Sequence, residues 1–195
     1  MSIPDQLLIR LRERYSEPHR KYHTWTHIEA LLAHYAVLER HFFRKTPVLW
    51  AIYWHDAVYD PQAKDNEIQS AELLKTEATD FLDELDLASA ILLIEATERH
   101  EVMTGLSLED RADMELFLDI DLSILGAREV VFDNYERNIR QEYSFVSDDA
   151  FRSGRSKVLR SFLERDHIFY SEVCRQKWET QARNNLLRAL DKLEG

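Results

Sequence analysis

The chain has 195 residues, 25 Lys+Arg against 36 Asp+Glu, a formal net charge of -11, and 45% hydrophobic and 31% charged residues. That composition excludes a disordered or fibrous chain, and the length fits one domain able to bury about two thirds of the surface its unfolded form exposes. With only 4 Gly and 4 Pro, against an average usage of about 12% for the two together, the chain has few turns and long helices.

Apolar residues recur at helical spacing along nearly the whole chain, and no segment sustains strand alternation. The first helix is expected from about Ile3, with Ser2 as its cap and Pro4 in the first turn, through Leu7, Leu8, Leu11 and Tyr15. A second begins near Thr24 to Thr26 and carries Ile28, Leu31, Leu32, Tyr35, Leu38 and Phe42. Thr46-Pro47 reads as cap and first residue of a third, apolar on nearly every face through Val48, Leu49, Ala51, Ile52 and Trp54, hence central. His55 and Asp56 end it, so two polar groups are delivered into the interior.

Asp65 is expected to cap a helix through Ile68, Ala71, Leu74 and Ala78, and another runs from Asp86 through Ile94 to His100. Ser107 with Asp110 forms a capping pair for a helix through Leu116, Phe117 and Ile120 that Gly126 ends. Three more are predicted at about 127–145, 148–165 and 169–193. With no repeat, low-complexity tract or linker, residues 1–195 read as a single all-α domain of about nine helices.

The charge is uneven. Residues 1–50 hold 8 basic and 5 acidic side chains, 51–125 hold 4 and 19, and 126–195 hold 13 and 12. Such an acidic middle repels phosphate backbones, against a partner that is a nucleic-acid polymer, yet it suits a metal. The one cysteine, Cys174, excludes a disulfide framework and a Cys-rich zinc site and fits a reducing compartment. Arg10, Arg12, Glu13 and Arg14 interrupt any signal-like apolar region, and the longest apolar stretch, Pro47 to Trp54, is far below the roughly 18 residues of a membrane span. The expectation is a cytoplasmic protein with no membrane partner, its oligomeric state left open.

Four features carry potential chemistry: Tyr22-His23-Thr24-Trp25-Thr26-His27, His55-Asp56, His100 and Asp119-Ile120-Asp121. Each adjoins an apolar helical stretch, and imidazole and carboxylate groups projecting inward from facing helices are how a bundle builds a metal site. The spacing puts His23 and His27 on one helix face. Singly, each histidine is as well explained by packing, and Asp119 and Asp121 by the exposed end of an acidic helix. A carboxylate at the end of an apolar helix is different, because its burial is costly unless it is paired or metal-bound.

The joint pattern H…HD…H…D resembles the HD superfamily of metal-dependent phosphohydrolases. Tyr22-His23-x-x-x-His27 resembles the Y-H-N-x-x-H segment of cyclic-nucleotide phosphodiesterases, with Thr24 in place of Asn, and Asp121-Leu122-Ser123 resembles their final D-L-S. More closely than the phosphodiesterases, the chain resembles a bacterial group of roughly 200-residue predicted HD phosphohydrolases of unknown substrate. Arg20-x-Tyr22-His23, Trp54-His55-Asp56-Ala57-Val58-Tyr59-Asp60, Asp65-Asn66-Glu67-x-x-Ser70-Ala71, Ala96-Thr97-x-x-His100, Phe117-Leu118-Asp119-x-Asp121 and Gly154-Arg155 carry that similarity, which covers about residues 7 to 190.

The resemblance implies His27, His55, Asp56 and Asp121 as metal ligands, with Asp56 bridging if there are two ions. It implies His100 as a further metal or phosphate ligand, His23 as the general acid and Asp60 as a second catalytic acid. Asp60 matches the H-D-x-x-E-D run of alarmone hydrolases, in which Tyr59 replaces Glu. Arg20 and Arg155, with Tyr22, are the candidate substrate contacts, an Arg fork suiting phosphate. Gly154 is expected to allow a close approach of helix or ligand.

Phosphate-ester hydrolysis is among the slowest uncatalysed reactions, so a site must supply charge stabilisation and a ready nucleophile, both of which a divalent cation provides. A shell of His and carboxylate suits Mn, Fe, Zn or Mg, as one or two ions. The expected function is hydrolysis of a small phosphorylated metabolite, a nucleotide by preference. Two other classes stay open: a catalytically silent HD-fold nucleotide-binding or scaffold protein, and an HD-fold di-iron oxygenase.

Overall fold

A computed structural model of the chain describes residues 3–195; Ser2, the expected cap of the first helix, lies outside the described residues. These residues form nine helices and no strand. They are α1 Asp5–Arg14, α2 Trp25–Leu38, α3 Lys45–Trp54, α4 Asn66–Ala78, α5 Glu84–Ala96, α6 Leu108–Asp121, α7 Glu129–Glu142, α8 Asp148–Leu163, and α9, continuous through Glu172–Cys174, a π-helical turn Arg175–Glu179 and Thr180–Glu194. None is long and apolar enough to cross a membrane. The chain divides into two compact units, Met1–Leu118 and Asp119–Gly195, the division falling within α6.

In the first unit α3 is central, as its all-round apolar sequence predicts. Val48, Trp50, Ala51, Ile52 and Trp54 are fully buried, and α2, α4 and α5 pack around them. Each fully buried aliphatic or aromatic side chain here contributes about 1.5–3 kcal/mol over its exposed state. Trp50 and Trp54 stack at 4.9 Å, and the Trp54 indole N–H donates to Glu77 at 3.0 Å.

The start of α3 differs from the Thr46-Pro47 expectation. It begins at Lys45, and the carboxylate that holds its entry comes from Asp113, which accepts the Phe43 and Arg44 N–H groups at 2.7 Å each. Burial raises the Asp113 carboxyl above the usual range, with those two N–H groups opposing it. Asp65 occupies the cap position of α4, but its carboxylate accepts from the Gln69 amide rather than from the backbone. The Ser107–Asp110 pair forms as expected, the Asp110 N–H donating to Ser107 Oγ at 3.1 Å and that hydroxyl to Asp110 Oδ2 at 2.7 Å. α5 stops at Ala96, short of His100, whose backbone sits at φ 50° in the left-handed region.

In the second unit α9 packs on α8 and on the 3-10 turn Leu122–Gly126. Asn185 donates to the Leu125 and Ala127 carbonyls at 2.8 Å each, and Arg183 to those of Leu163, Arg165 and Asp166. Gly126 lies so close to Trp178 that an added Cβ would fall 2.5 Å from the Trp178 Cβ. Gly154 does not serve the expected close approach of a helix: a Cβ there would meet nothing within 4 Å among the described residues.

The ninth helix starts at Glu172 rather than 169 because the preceding backbone is held elsewhere. Glu179 accepts the Ile168 and Phe169 N–H groups, and Asp119 accepts those of Tyr170 and Ser171. Asp119 is therefore fully buried rather than the exposed end of an acidic helix, and burial lifts its carboxyl to about 6 against the pull of these donors. Cys174 lies beside it, 1% exposed.

Candidate metal centre

Thr24 is extended, and its N–H closes a tight turn onto the Tyr22 carbonyl at 2.7 Å, so α2 begins only at Trp25. His27 thus lies in the first turn of α2 and is buried, while His23 precedes the helix. The two are not on one helix face as their spacing suggested; their rings meet edge to face at 6.2 Å. His55 follows the last turn of α3, its N–H bonded to Ala51 at 2.9 Å, and is 1% exposed.

Three ligand-type atoms converge here. His27 Nε2 and His55 Nε2 are 3.1 Å apart, and Asp56 Oδ2 lies 3.0 Å from the second and 3.6 Å from the first. The His55 Nδ1 faces the Ile52 carbonyl at 3.1 Å. A carbonyl only accepts, so Nδ1–H donates to it, and with the ring neutral Nε2 would present a lone pair, the arrangement that orients metal-binding imidazoles. Metal–ligand bonds of about 2.0–2.2 Å set neighbouring donor atoms roughly 3–3.5 Å apart, so the triangle fits one divalent cation.

Asp56 is held as a carboxylate. Burial pushes the Asp56 carboxyl up, but His55, then His23 and His27, outweigh it and hold the group below the usual carboxylate range. Its side chain retains 17% exposure, an edge open to solvent.

Arg20 is placed differently from a substrate contact. Its side chain is fully buried, and it donates to the carbonyls of His23 at 3.1 Å, Asp56 at 2.7 Å and Ala57 at 3.2 Å and to the Glu17 carboxylate. One guanidinium, flanked by the Tyr15 and Tyr59 rings, ties the turn before α2 to the turn after α3. Tyr22 sits against both His27 and His23, at 4.9 and 5.0 Å between ring centres, and His23 lies 4.2 Å from Tyr59.

Asp60 is exposed, and its carboxylate accepts the Gln62 N–H in a local turn. Asn66 bonds both the N–H and the carbonyl of Asp60, and Ser70 does the same for Val58, so the segment after the HD pair is bolted to the start of α4. That attachment brings in Glu67, to which sequence reasoning gave no role. Burial raises its carboxyl; the Asp56 and Glu98 charges act in the same sense, while its own backbone N–H and His100 oppose. His100 is thereby within electrostatic reach of Glu67, half-buried at the left-handed position beyond α5. The sequence signal for Glu67 is its place in the Asp65-Asn66-Glu67-x-x-Ser70-Ala71 run, which carries the resemblance without giving it a role, at the first turn of α4.

In the second unit, Asp121 is the last residue of α6 and is buried. Arg155 is 10% exposed and paired with Glu136 and the Tyr135 hydroxyl. Burial raises the Tyr135 phenol, Arg155 opposing and Glu136 and Asp121 adding to it. No protein-family model, curated protein or solved structure matches the chain.

Proposed function

We propose that this protein is a metal-dependent phosphohydrolase acting on a small phosphorylated metabolite, with nucleotides the favoured class. The convergence of His27 Nε2, His55 Nε2 and Asp56 Oδ2, with His55 Nδ1 spent on Ile52, is the observation that carries the reading. A divalent ion held by these atoms would lower the pKa of a water and neutralise charge on the phosphoryl oxygens. The sequence pattern adds Asp121 to the ligands, an assignment tested by the metal stoichiometry of Asp121→Ala.

This chain's own groups supply the rest. His23, close enough for its charge to act on Asp56, is the candidate to protonate the leaving oxygen. Glu67, raised toward its protonated form, is a second group able to exchange a proton beside Asp56. Arg20 acts as a positioning residue, since its bonds to the Asp56 and Ala57 carbonyls fix the backbone that presents the HD pair.

The test is elemental analysis of protein purified without added metal, followed by a phosphate-release screen over nucleotides and sugar phosphates with the metal found. Bound divalent metal, and release lost in His55→Ala/Asp56→Ala, are the expected results. Metal-free protein whose activity the double variant leaves unchanged would sink the reading. Tight nucleotide binding without turnover would replace it with a silent binding protein, and a mixed-valence iron signal with an oxygenase.

A further inference from the structure

The second unit contains a cleft of about 370 Å³ formed by residues of α7, α8 and α9, within the roughly 300–1,000 Å³ of small-molecule sites. Phe151, Ala189 and Leu193 give it apolar wall, and Arg137, Arg140, Arg152 and Lys192 line it with positive charge. Three carboxylates also face it, and each has its own cation. Asp133 pairs with Arg188 and, at 3.4 Å, with Lys192; Glu136 pairs with Arg155; Asp148 pairs with Arg140 at 2.6 Å.

Arg188 and Arg155 are not part of the lining, so they neutralise its carboxylates from behind. Arg140 is committed, bonding the Tyr143 and Val146 carbonyls and covering the Phe151 ring at 4.8 Å. The pairing leaves a surplus. Arg137 and Arg152 are exposed; among the described residues Arg137 bonds the neutral Asn134 side chain and Arg152 forms no ion pair within 4.0 Å, though its charge acts on Asp148, and Lys192 is only shared. Residues 119–195 hold 13 basic and 14 acidic side chains, so this excess belongs to the cleft rather than to the unit.

We propose that this cleft binds a small organic phosphate, its phosphate held by Arg137, Arg152 and Lys192 and its flat apolar end lodged against Phe151, Ala189 and Leu193. Guanidinium forks match phosphate oxygens bidentately, and one cation from each of three helices can surround a dianion, with only Lys192 shared with Asp133. The site uses none of the residues of the metal centre and stands whether or not that centre is hydrolytic.

ADP and inorganic pyrophosphate, each without metal, are titrated calorimetrically into the full-length His27→Ala/His55→Ala protein, which disables the centre. Saturable binding of one ADP per chain, tighter than pyrophosphate, is expected. Adding Arg137→Glu and Arg152→Glu, both exposed positions, weakens it at least about tenfold at unchanged Tm. Failure of ADP to saturate overturns the proposal. So does ADP binding that needs His27 and His55, affinity indifferent to the two arginines, or pyrophosphate binding as tightly as ADP.

Discussion

Two buried polar clusters, one in each unit, differ in what their lone pairs face. The Asp119 carboxylate meets donors: the Tyr170 N–H, the Ser171 N–H and the Ser171 hydroxyl. At His27, His55 and Asp56 two ring nitrogens and a carboxylate oxygen, all ligand-type atoms, converge within 3.6 Å of one another. The first cluster completes itself and braces the chain before α9. The second gathers atoms that, with the rings deprotonated, can each offer a lone pair to one cation. Burial is common to both, so it is the balance of donors and acceptors that separates a brace from a site.

The strongest way to break this contrast is to exchange the expected phenotypes. His55→Ala/Asp56→Ala should abolish bound divalent metal and lower phosphate release by a factor on the order of 10³ or more, since a catalytic cation is worth several kcal/mol at about 1.4 kcal/mol per tenfold. Its Tm should fall less than that of Asp119→Ala. A collapse in Tm with metal content unchanged would make the histidine cluster a brace as well.

Asp119→Ala leaves two backbone N–H groups without their acceptor, a loss of roughly 3–5 kcal/mol. In a chain of this size that is a Tm drop of roughly 10 °C, readable by calorimetry. A drop of a degree or two would show that the backbone before α9 finds other partners.

Smaller effects sharpen the same distinction between occupied and open surroundings. Gly126→Ala drives a Cβ against Trp178 Cβ and, at 2.9 Å, its carbonyl; urea unfolding should register a loss of roughly 1–3 kcal/mol. Asp113, a closed cluster in the first unit, provides a pH test. Its folded pKa is raised by burial, so its stabilising contribution is fully present below the ordinary carboxyl value of 3.8 and is lost as pH rises through the raised value. Asp113→Asn should flatten that part of a Tm profile taken from acid to neutral pH. Gly154→Ala, facing open space within α8, should raise stability by about 0.5–1 kcal/mol.

Helix positions were legible wherever local periodicity and punctuation set them. α2 starts at Trp25, inside the Thr24 to Thr26 window, and the Ser107–Asp110 pair forms beside α6. They were illegible where a distant side chain sets the end: Asp113 holds the entry to α3 from some seventy residues away, and Asp119 and Glu179 keep residues 168–171 out of α9.

For the candidate site, the pattern picked out His27, His55 and Asp56, since polar groups ending an apolar helix have few places to go. It misjudged His23, because the turn onto Tyr22 delays the helix by one residue past Thr24. Arg20 offered a phosphate-binding chemistry that three backbone carbonyls claim instead, and no residue pattern encodes a carbonyl's direction. The role of Glu67 was unreadable for a related reason, although the residue lies in a run that carries the resemblance: its nearness to Asp56 follows from Asn66 and Ser70 bonding the loop, a tertiary event.

Cys174 gives the second unit a built-in clock. Burial, with Asp119 nearby, pushes its thiol up to about 12, so at neutral pH the reactive thiolate is scarce, and the sulfur is shielded. Alkylating reagents should therefore pass over the folded chain and mark only molecules in which the segment around Ser171 has swung open. Because there is no other cysteine to confuse the reading, the rate of labelling counts those openings directly, with no engineered probe.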